Sequence, residues 1–158
     1  RWNFARDADA RNGYDLVMMH HSLEHIPDQH RTLSAAYDLL NKNGLLLIRV
    51  PLSCSWAWQH YRENWVQIDS PRHLYLHSIK SIEVLAQKHG FSLQEVHFDS
   101  TQFQFTGSER YRRDIPLFEK EEADVFTTQE IQDYSVKADE LNREGAGDQA
   151  CFILRKAA

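Results

Sequence analysis

Polar side chains that could do acid–base chemistry follow directly after a short apolar run near the start of the chain. The run covers residues 14–19, and the polar groups after it are His20, His21, Ser22, Glu24 and His25. An imidazole titrates near neutral pH and can take up a proton, while a neighbouring carboxylate can orient it. Ligands of open α/β sheets bind outside the carboxyl ends of strands, so this turn is the first candidate site.

The same turn raises the question of a metal ion. His21, Glu24 and His25 lie within five residues of one another, and three ligands from one turn can reach one divalent cation. The alternative is structural, because a carboxylate and an imidazole here can cap the next helix and tie strand ends together. We expect the structural role and predict no metal ligand.

A second group of candidate residues lies in residues 51–77, an aromatic loop that also contains histidines and arginines. Its rings are Trp56, Trp58, Tyr61, Trp65 and Tyr75. A connection of this length is often functional, and small-molecule sites are mostly apolar with a few fixed polar groups. Tyr61 and Trp65 are therefore candidates for contacting a substrate. The alternative is that the rings form a small core beneath the loop.

Arg72 and His73 stand together in the same loop. Arg72 could bind a carboxylate or phosphate of a substrate with two parallel hydrogen bonds. The alternative, which we favour, is a salt bridge to Asp69 or Glu63 that fixes the loop.

Three histidines are candidates for a general base that would deprotonate a substrate hydroxyl. His73 is the first choice, and His21 and His25 follow. An unperturbed imidazole has a pKa of about 6.5, close to the operating pH of most enzymes.

The elements that must position these residues can be predicted from apolar periodicity and punctuation. Residues 14–19 should form a strand buried on both faces. Asp28 should cap a helix that ends at Asn43-Gly44, with an apolar face made of Leu33, Ala36, Tyr37 and Leu40. Residues 45–50 should form a second buried strand. Strand, helix and strand with short links form a βαβ unit, so we expect the two strands to be parallel.

The remaining elements follow the aromatic loop. Ser78 should cap a helix that ends at Gly90, and residues 91–98 should form a third strand. We expect residues 99–126 to be irregular, with Gly107 and Pro116 as breakers. Thr127 and Glu130 form a potential capping box for another helix. A last strand should cover residues 150–155.

Composition excludes several classes of protein. The 158 residues carry a net charge of −5 and are 42% hydrophobic, which fits one globular domain and argues against a nucleic-acid backbone as partner. No apolar run is long enough for a membrane span. The two cysteines, Cys54 and Cys151, form no disulfide framework. We expect them to be buried thiols in a cytoplasmic protein.

Two motifs resemble class I S-adenosylmethionine-dependent methyltransferases. They are YDLVMMHHSLEHIPD at residues 14–28 and LLNKNGLLLIRVP at residues 39–51, which are similar to the family's fourth and fifth strands and the helix between them. The segments Pro71-Arg72-His73-Leu74 and 99–105 resemble a subset of that family, one that we associate with bacterial biosynthesis of small molecules and glycans. The resemblance spans nearly all of residues 14–156.

The resemblance implies a fold and a reaction. The fold is α/β, a Rossmann-like methyltransferase sheet of order 3-2-1-4-5-7-6, of which this chain supplies the C-terminal half, strands 4–7 with flanking helices. Residues 1–158 would form one partial methyltransferase domain, with residues 99–148 as an insertion before the last strand. The reaction would transfer a methyl group from S-adenosylmethionine to a small-molecule acceptor.

The resemblance also implies cofactor contacts. Asp7 and Ala8 fall where the family contacts adenine, and His20, His21 and Ser22 fall at the methionine end of the cofactor. The alternatives are a solvated loop carboxylate at Asp7, and one packed and one solvated histidine after the strand.

The chain also departs from the family pattern. It contains no G-x-G-x-x-G cofactor loop and no counterpart of the family's first three strands. Strand 4 would be an exposed edge, which invites pairing with another chain. We therefore expect a homodimer, or the upstream half as a partner. The competing function is a truncated, non-catalytic module that acts through protein association.

Overall fold

A computed structural model describes residues 13–157 as a four-stranded sheet with flanking helices. The strands are β1 (Tyr14–His20), β2 (Leu40–Pro51), β3 (Phe91–Phe98) and β4 (Gln149–Lys156). Their order in the sheet is β1-β2-β4-β3. β1 runs parallel to β2, whereas β4 is antiparallel to both of its neighbours. This is the order 4-5-7-6 that the methyltransferase resemblance implies, and the α/β fold class is confirmed.

Six α-helices and three 3₁₀ turns are found among the described residues. The helices are α1 (Gln29–Leu39), α2 (Trp56–Tyr61), α3 (Ile79–Lys88), α4 (Phe103–Arg112), α5 (Glu122–Val125) and α6 (Thr128–Arg143). The 3₁₀ turns cover Leu23–His25, Arg62–Asn64 and Val66–Ile68. Within residues 13–157, no helix combines the length and apolarity needed to cross a membrane.

The βαβ unit of β1, α1 and β2 forms largely as predicted. The Asp28 side chain accepts a hydrogen bond from the backbone N–H of Arg31 and so caps α1. Leu33 and Ala36 are fully buried in the core. The helix ends sooner than predicted, because β2 begins at Leu40, which pairs with Tyr14.

Two later helices begin at the capping boxes of their N-termini. The predicted Thr127–Glu130 box of α6 is present in both directions. Ser78 caps α3 as predicted, and Ser81 completes a second box there by accepting from the Ser78 N–H. The two helices therefore start where the sequence indicates, because the caps satisfy backbone N–H groups that lack intrahelical partners.

The prediction that β1 is buried on both faces is wrong. Tyr14, Leu16 and Met18 are 48%, 47% and 65% exposed, whereas Met19 is buried. Successive side chains of a strand point to opposite faces. One face of β1 therefore packs on the core, and the other presents apolar side chains at the sheet edge.

The prediction that residues 99–126 are irregular is also wrong, because α4 and α5 lie there. Gly107 is inside α4 rather than a breaker. A Cβ atom at Gly107 would lie 2.6 Å from Cγ2 of Val66. The glycine is thus explained by close packing of α4 on the aromatic loop, which no local sequence pattern reveals.

The buried side chains form two clusters. The first lies between the sheet and helices α1 and α3 and includes Leu46, Ile48 and Phe152. The second lies between the aromatic loop, α4 and α6 and includes Trp65 and Phe105. The loop at residues 51–77 is therefore held by a core of its own.

Only one of the two cysteines is buried as predicted. Cys151 is buried as predicted, but Cys54 is exposed. Cys54 follows β2 in a turn, where the chain leaves the sheet.

Candidate functional site

The turn after β1 and the aromatic loop meet at the carboxyl edge of the two parallel strands. Nδ1 of His25 lies 2.9 Å from the carbonyl oxygen of Arg72. The backbone N–H groups of Leu74 and Tyr75 donate to the carbonyl oxygen of Glu24 at 2.9 and 3.3 Å. Two groups of candidate residues, far apart in sequence, therefore form one cluster.

Buried polar contacts hold this junction in place on its interior side. Nε2 of Gln29 donates to the carbonyl oxygen of Leu23 at 2.8 Å and lies 3.0 Å from Nε2 of His77. The backbone N–H of Ser53, just after β2, donates to the carbonyl oxygen of His77. Burial lowers the pKa of His77, so this ring is neutral at physiological pH and serves as a fixed support.

Glu24 is the most buried charged residue of the cluster. Its side chain is 0% exposed, and neither carboxylate oxygen has a hydrogen-bond partner in residues 13–157. Nδ1 of His21 lies 3.5 Å from Oε1 of Glu24, an electrostatic contact rather than a good hydrogen bond. Burial raises the pKa of Glu24, but contacts with His21, its own backbone and His25 outweigh burial and hold that pKa below the ordinary value. Glu24 is thus a buried anion.

His25 and His73 face each other beside this anion. Their ring centroids are 4.8 Å apart. Nδ1 of His73 lies 2.7 Å from the carbonyl oxygen of Gln67, and Nε2 of His73 lies 3.7 Å from a carboxylate oxygen of Asp69. One potential ligand atom each from Glu24, His25 and His73 falls within 4.8 Å of the others.

The residues expected at the methionine end of the cofactor lie at the end of β1. His20 is exposed and contacts the Arg49 guanidinium. His21 adopts a left-handed backbone conformation with φ of 44°, and its N–H donates to the carbonyl oxygen of Arg49 at 3.0 Å. Ser22 is half-buried. These residues stand where a ligand outside the strand end could reach them.

Arg72 makes the salt bridge that we favoured from the sequence. Its guanidinium contacts both carboxylate oxygens of Asp69, at 2.8 and 2.7 Å, and the Arg72 side chain as a whole is 66% exposed. The pair fixes the loop, and much of the Arg72 side chain still faces solvent.

Tyr61 and Trp65 are packed in the core, which corrects the prediction that they contact a substrate. Trp65 is 0% exposed and Tyr61 is 4% exposed. The Tyr61 hydroxyl donates to Oε1 of Glu109 at 3.1 Å, and burial raises the pKa of Tyr61. Aromatic side chains with a polar tip are typically satisfied in this way when buried.

Asp148 is a buried residue at the end of the predicted insertion, and no sequence pattern marks it as part of a site. It accepts a hydrogen bond from Nε1 of Trp65 at 3.1 Å. Burial raises the pKa of Asp148 to about 6, and hydrogen bonds from Trp65 and Ser100 offset burial only in part. A turn aspartate is ordinarily solvated, so only tertiary packing could have identified it.

The cluster fits one end of S-adenosylmethionine rather than the whole cofactor. His20, His21 and Ser22 are accessible at the strand end, as a contact with the methionine portion requires. The sequence contains no glycine-rich cradle for the rest of the molecule. Asp7 and Ala8, the expected adenine contacts, lie outside the described residues.

Sheet order and site position together define a methyltransferase-like α/β fold, and solved structures agree. A methyltransferase from Thermotoga maritima superposes with a TM-score of 0.53 at 20% identity, covering 90% of this chain and 55% of that one. A methyltransferase from Archaeoglobus fulgidus superposes with a TM-score of 0.50 at 16% identity, covering 91% of this chain and 60% of that one. A Galdieria sulphuraria protein described as a sarcosine dimethylglycine methyltransferase superposes with a TM-score of 0.51 at 16% identity. The match covers 92% of this chain and 54% of that one.

The chain belongs to the methyltransferase domain family, whose model matches residues 2–96. Among curated proteins, none matches this sequence. The chain spans little more than half the length of the first solved structures that it matches.

Proposed function

We propose that this chain forms the acceptor side of an S-adenosylmethionine-dependent methyltransferase that acts on a small molecule. The observation that carries the proposal is the junction at the carboxyl edge of β1 and β2, where the His20–Ser22 turn and the His73 segment converge. This is the edge at which open α/β sheets bind ligands. Family membership and the SAM-dependent fold neighbours support the choice of cofactor.

Within this proposal the chain's residues have positional roles. S-adenosylmethionine, when bound, supplies an electrophilic methyl group on its sulfonium sulfur. His20, His21 and Ser22 would contact the methionine end of the cofactor, and the exposed side chain of Arg72 would bind an anionic group of the acceptor. Alignment of the acceptor with the methyl group is worth far more than any single contact.

A proton-accepting histidine would serve an acceptor with a hydroxyl or amine. His21 is the best placed of the three candidates, because it is one-third exposed and its Nδ1 lies beside the Glu24 carboxylate. His25 and His73 remain candidates, although their Nδ1 atoms are engaged by backbone carbonyl oxygens. Removal of a true general base should lower the rate by roughly 10²–10⁴-fold.

The test is calorimetric titration with S-adenosylhomocysteine. The 158-residue chain and a longer version, extended at its amino terminus by any residues that its gene encodes before Arg1, are titrated in parallel. We expect the extended version to bind, and His21→Ala to weaken that binding. His97→Ala is the matched control, because His97 lies on β3 and is 59% exposed. If neither version bound S-adenosylhomocysteine, the proposal would be contradicted.

The second candidate function is non-catalytic association. The observation that favours it is the exposed apolar face of β1, with Tyr14, Leu16 and Met18 about half exposed or more. A protein of this kind would bind a partner without binding S-adenosylhomocysteine in either version, so the same titration separates the two functions.

A further inference from the structure

We propose that Glu24, His25 and His73 form a binding site for a divalent transition-metal ion, with Zn²⁺ as the best fit. The first observation is proximity. One ligand atom from each residue falls within 4.8 Å of the other two. Donor atoms that share one zinc ion at about 2.0–2.2 Å in tetrahedral geometry are about 3.4 Å apart, so the side chains must approach one another by up to about 1.5 Å to bind one ion.

The second observation is the state of Glu24. Its carboxylate is fully buried, and both oxygens lack hydrogen-bond partners among residues 13–157. Buried carboxylates in folded proteins are normally hydrogen-bonded, paired with a cation or bound to a metal. Nδ1 of the His21 imidazole lies 3.5 Å from Oε1, which is too long for a good hydrogen bond. A metal ion between Glu24 and the two facing imidazoles would satisfy the carboxylate.

The third observation is how the two imidazoles are held. Nδ1 of His25 and Nδ1 of His73 each lie within hydrogen-bond distance of a backbone carbonyl oxygen, at 2.9 and 2.7 Å. A carbonyl oxygen only accepts hydrogen bonds, so each Nδ1 must carry the proton. An unprotonated ring held in this way has its lone pair on Nε2. Histidine ligands of metals typically have this second-shell arrangement, which fixes both tautomer and ring orientation.

The donor set indicates the class of metal. Two imidazoles and one carboxylate suit Zn²⁺ and other first-row divalent ions, whereas Mg²⁺ and Ca²⁺ prefer oxygen ligands alone. Three protein ligands leave at least one position for water or an exogenous donor. The trio differs from the His21–Glu24–His25 set that sequence spacing suggested, because His73 replaces His21.

The test is calorimetric titration of the metal-free, untagged 158-residue chain with Zn²⁺, with no cofactor or acceptor present. Absorption of the Co²⁺-substituted chain gives a second readout of the ligand geometry. We expect one ion per chain. His73→Asn and Glu24→Gln should each weaken binding by more than about 10-fold, since even second-shell losses reach that size.

One control variant locates the site. His89→Asn breaks an exposed histidine pair in which Nε2 of His89 lies 2.8 Å from Nδ1 of His30. It should bind Zn²⁺ within about 2-fold of the unaltered chain. Loss of binding in His89→Asn, or unaltered binding in His73→Asn, would overturn the proposal. If Glu24→Gln fails to fold, the variant His25→Asn is used instead, because His25 is partly exposed and its replacement disturbs the core less. Because S-adenosylhomocysteine is absent, failure here leaves the methyltransferase proposal untouched.

Discussion

At the scale of single residues, Asp148 has the most unusual environment. It is fully buried, and burial raises its pKa to about 6, well above the ordinary value of 3.8. The folded protein therefore holds the Asp148 proton more tightly than the unfolded chain does. Stability linked to this group is present at low pH and is lost as the pH rises from about 4 to about 6.

We expect Asp148→Asn to remove this loss. The amide oxygen can still accept from Trp65, and no charge needs to be buried. The free energy of unfolding of the unaltered chain should fall by up to about 3 kcal/mol between pH 4 and 6 through this group. In Asp148→Asn that component should be absent. Urea unfolding at a series of pH values measures it.

A matched variant supplies the control. Asp139→Asn alters an exposed carboxylate on α6 and should leave the pH dependence of stability unchanged. If Asp148→Asn and the unaltered chain had parallel pH profiles, Asp148 would titrate normally and the burial argument would fail.

At the scale of elements, the contact of α4 with the aromatic loop depends on Gly107. A Cβ atom there would meet Cγ2 of Val66 at 2.6 Å and Cβ of Val66 at 3.0 Å. We expect Gly107→Ala to destabilise the fold by about 1–3 kcal/mol, as overpacking typically does, although alanine is otherwise favoured in a helix. Thermal or urea unfolding gives the value.

A double-mutant cycle tests whether this clash is the cause. Val66→Ala removes Cγ2, which the new Cβ would meet at 2.6 Å, and leaves the Cβ contact at 3.0 Å, so Gly107→Ala should be less destabilising in that background. Equal destabilisation in both backgrounds would mean that the penalty has another origin.

The capping box of α6 is a second element-scale feature. Thr127 Oγ1 accepts from the N–H of Glu130, and Oε2 of Glu130 accepts from the N–H of Thr127. Thr127→Ala should lower the free energy of unfolding by about 1 kcal/mol. Thr128→Ala, one residue further along, should have a much smaller effect because Thr128 lies inside the helix. Equal effects of the two changes in urea unfolding would contradict the assignment of the cap.

At the scale of the whole molecule, β1 is an edge strand of the sheet with an exposed apolar face. Tyr14, Leu16 and Met18 present one apolar face of β1. Within the described residues, β1 pairs only with β2. Unpaired backbone groups beside exposed apolar side chains favour association.

We therefore expect the 158-residue chain to self-associate with rising concentration, as sedimentation velocity or light scattering would measure. Met18→Lys should reduce association, because lysine on an edge strand opposes strand pairing. Val136→Lys is the control, since Val136 is a half-exposed apolar residue away from the sheet edge. A monomer at all concentrations would contradict the expectation.

Local signals in the sequence determined much of the fold. Ser78, Thr127 and Asp28 could be recognised as helix caps because a cap is defined by residues within one turn of each other. The sheet order could be predicted only through the family resemblance, since strand pairing is not local. The α4 helix was missed because its glycine is explained by contact with Val66, which is distant in sequence.

The candidate site, like the fold, was predictable only where its features are local in sequence. The sequence by itself identified the turn after the first strand and the Arg72–His73 pair as candidate regions, because residue type and position are local properties. Only the tertiary structure decided that Tyr61 and Trp65 are packed inside and that Asp148 is buried. It also decided that His73 lies beside Glu24 and His25. Burial and proximity arise when distant segments pack together, and no spacing in the chain records them.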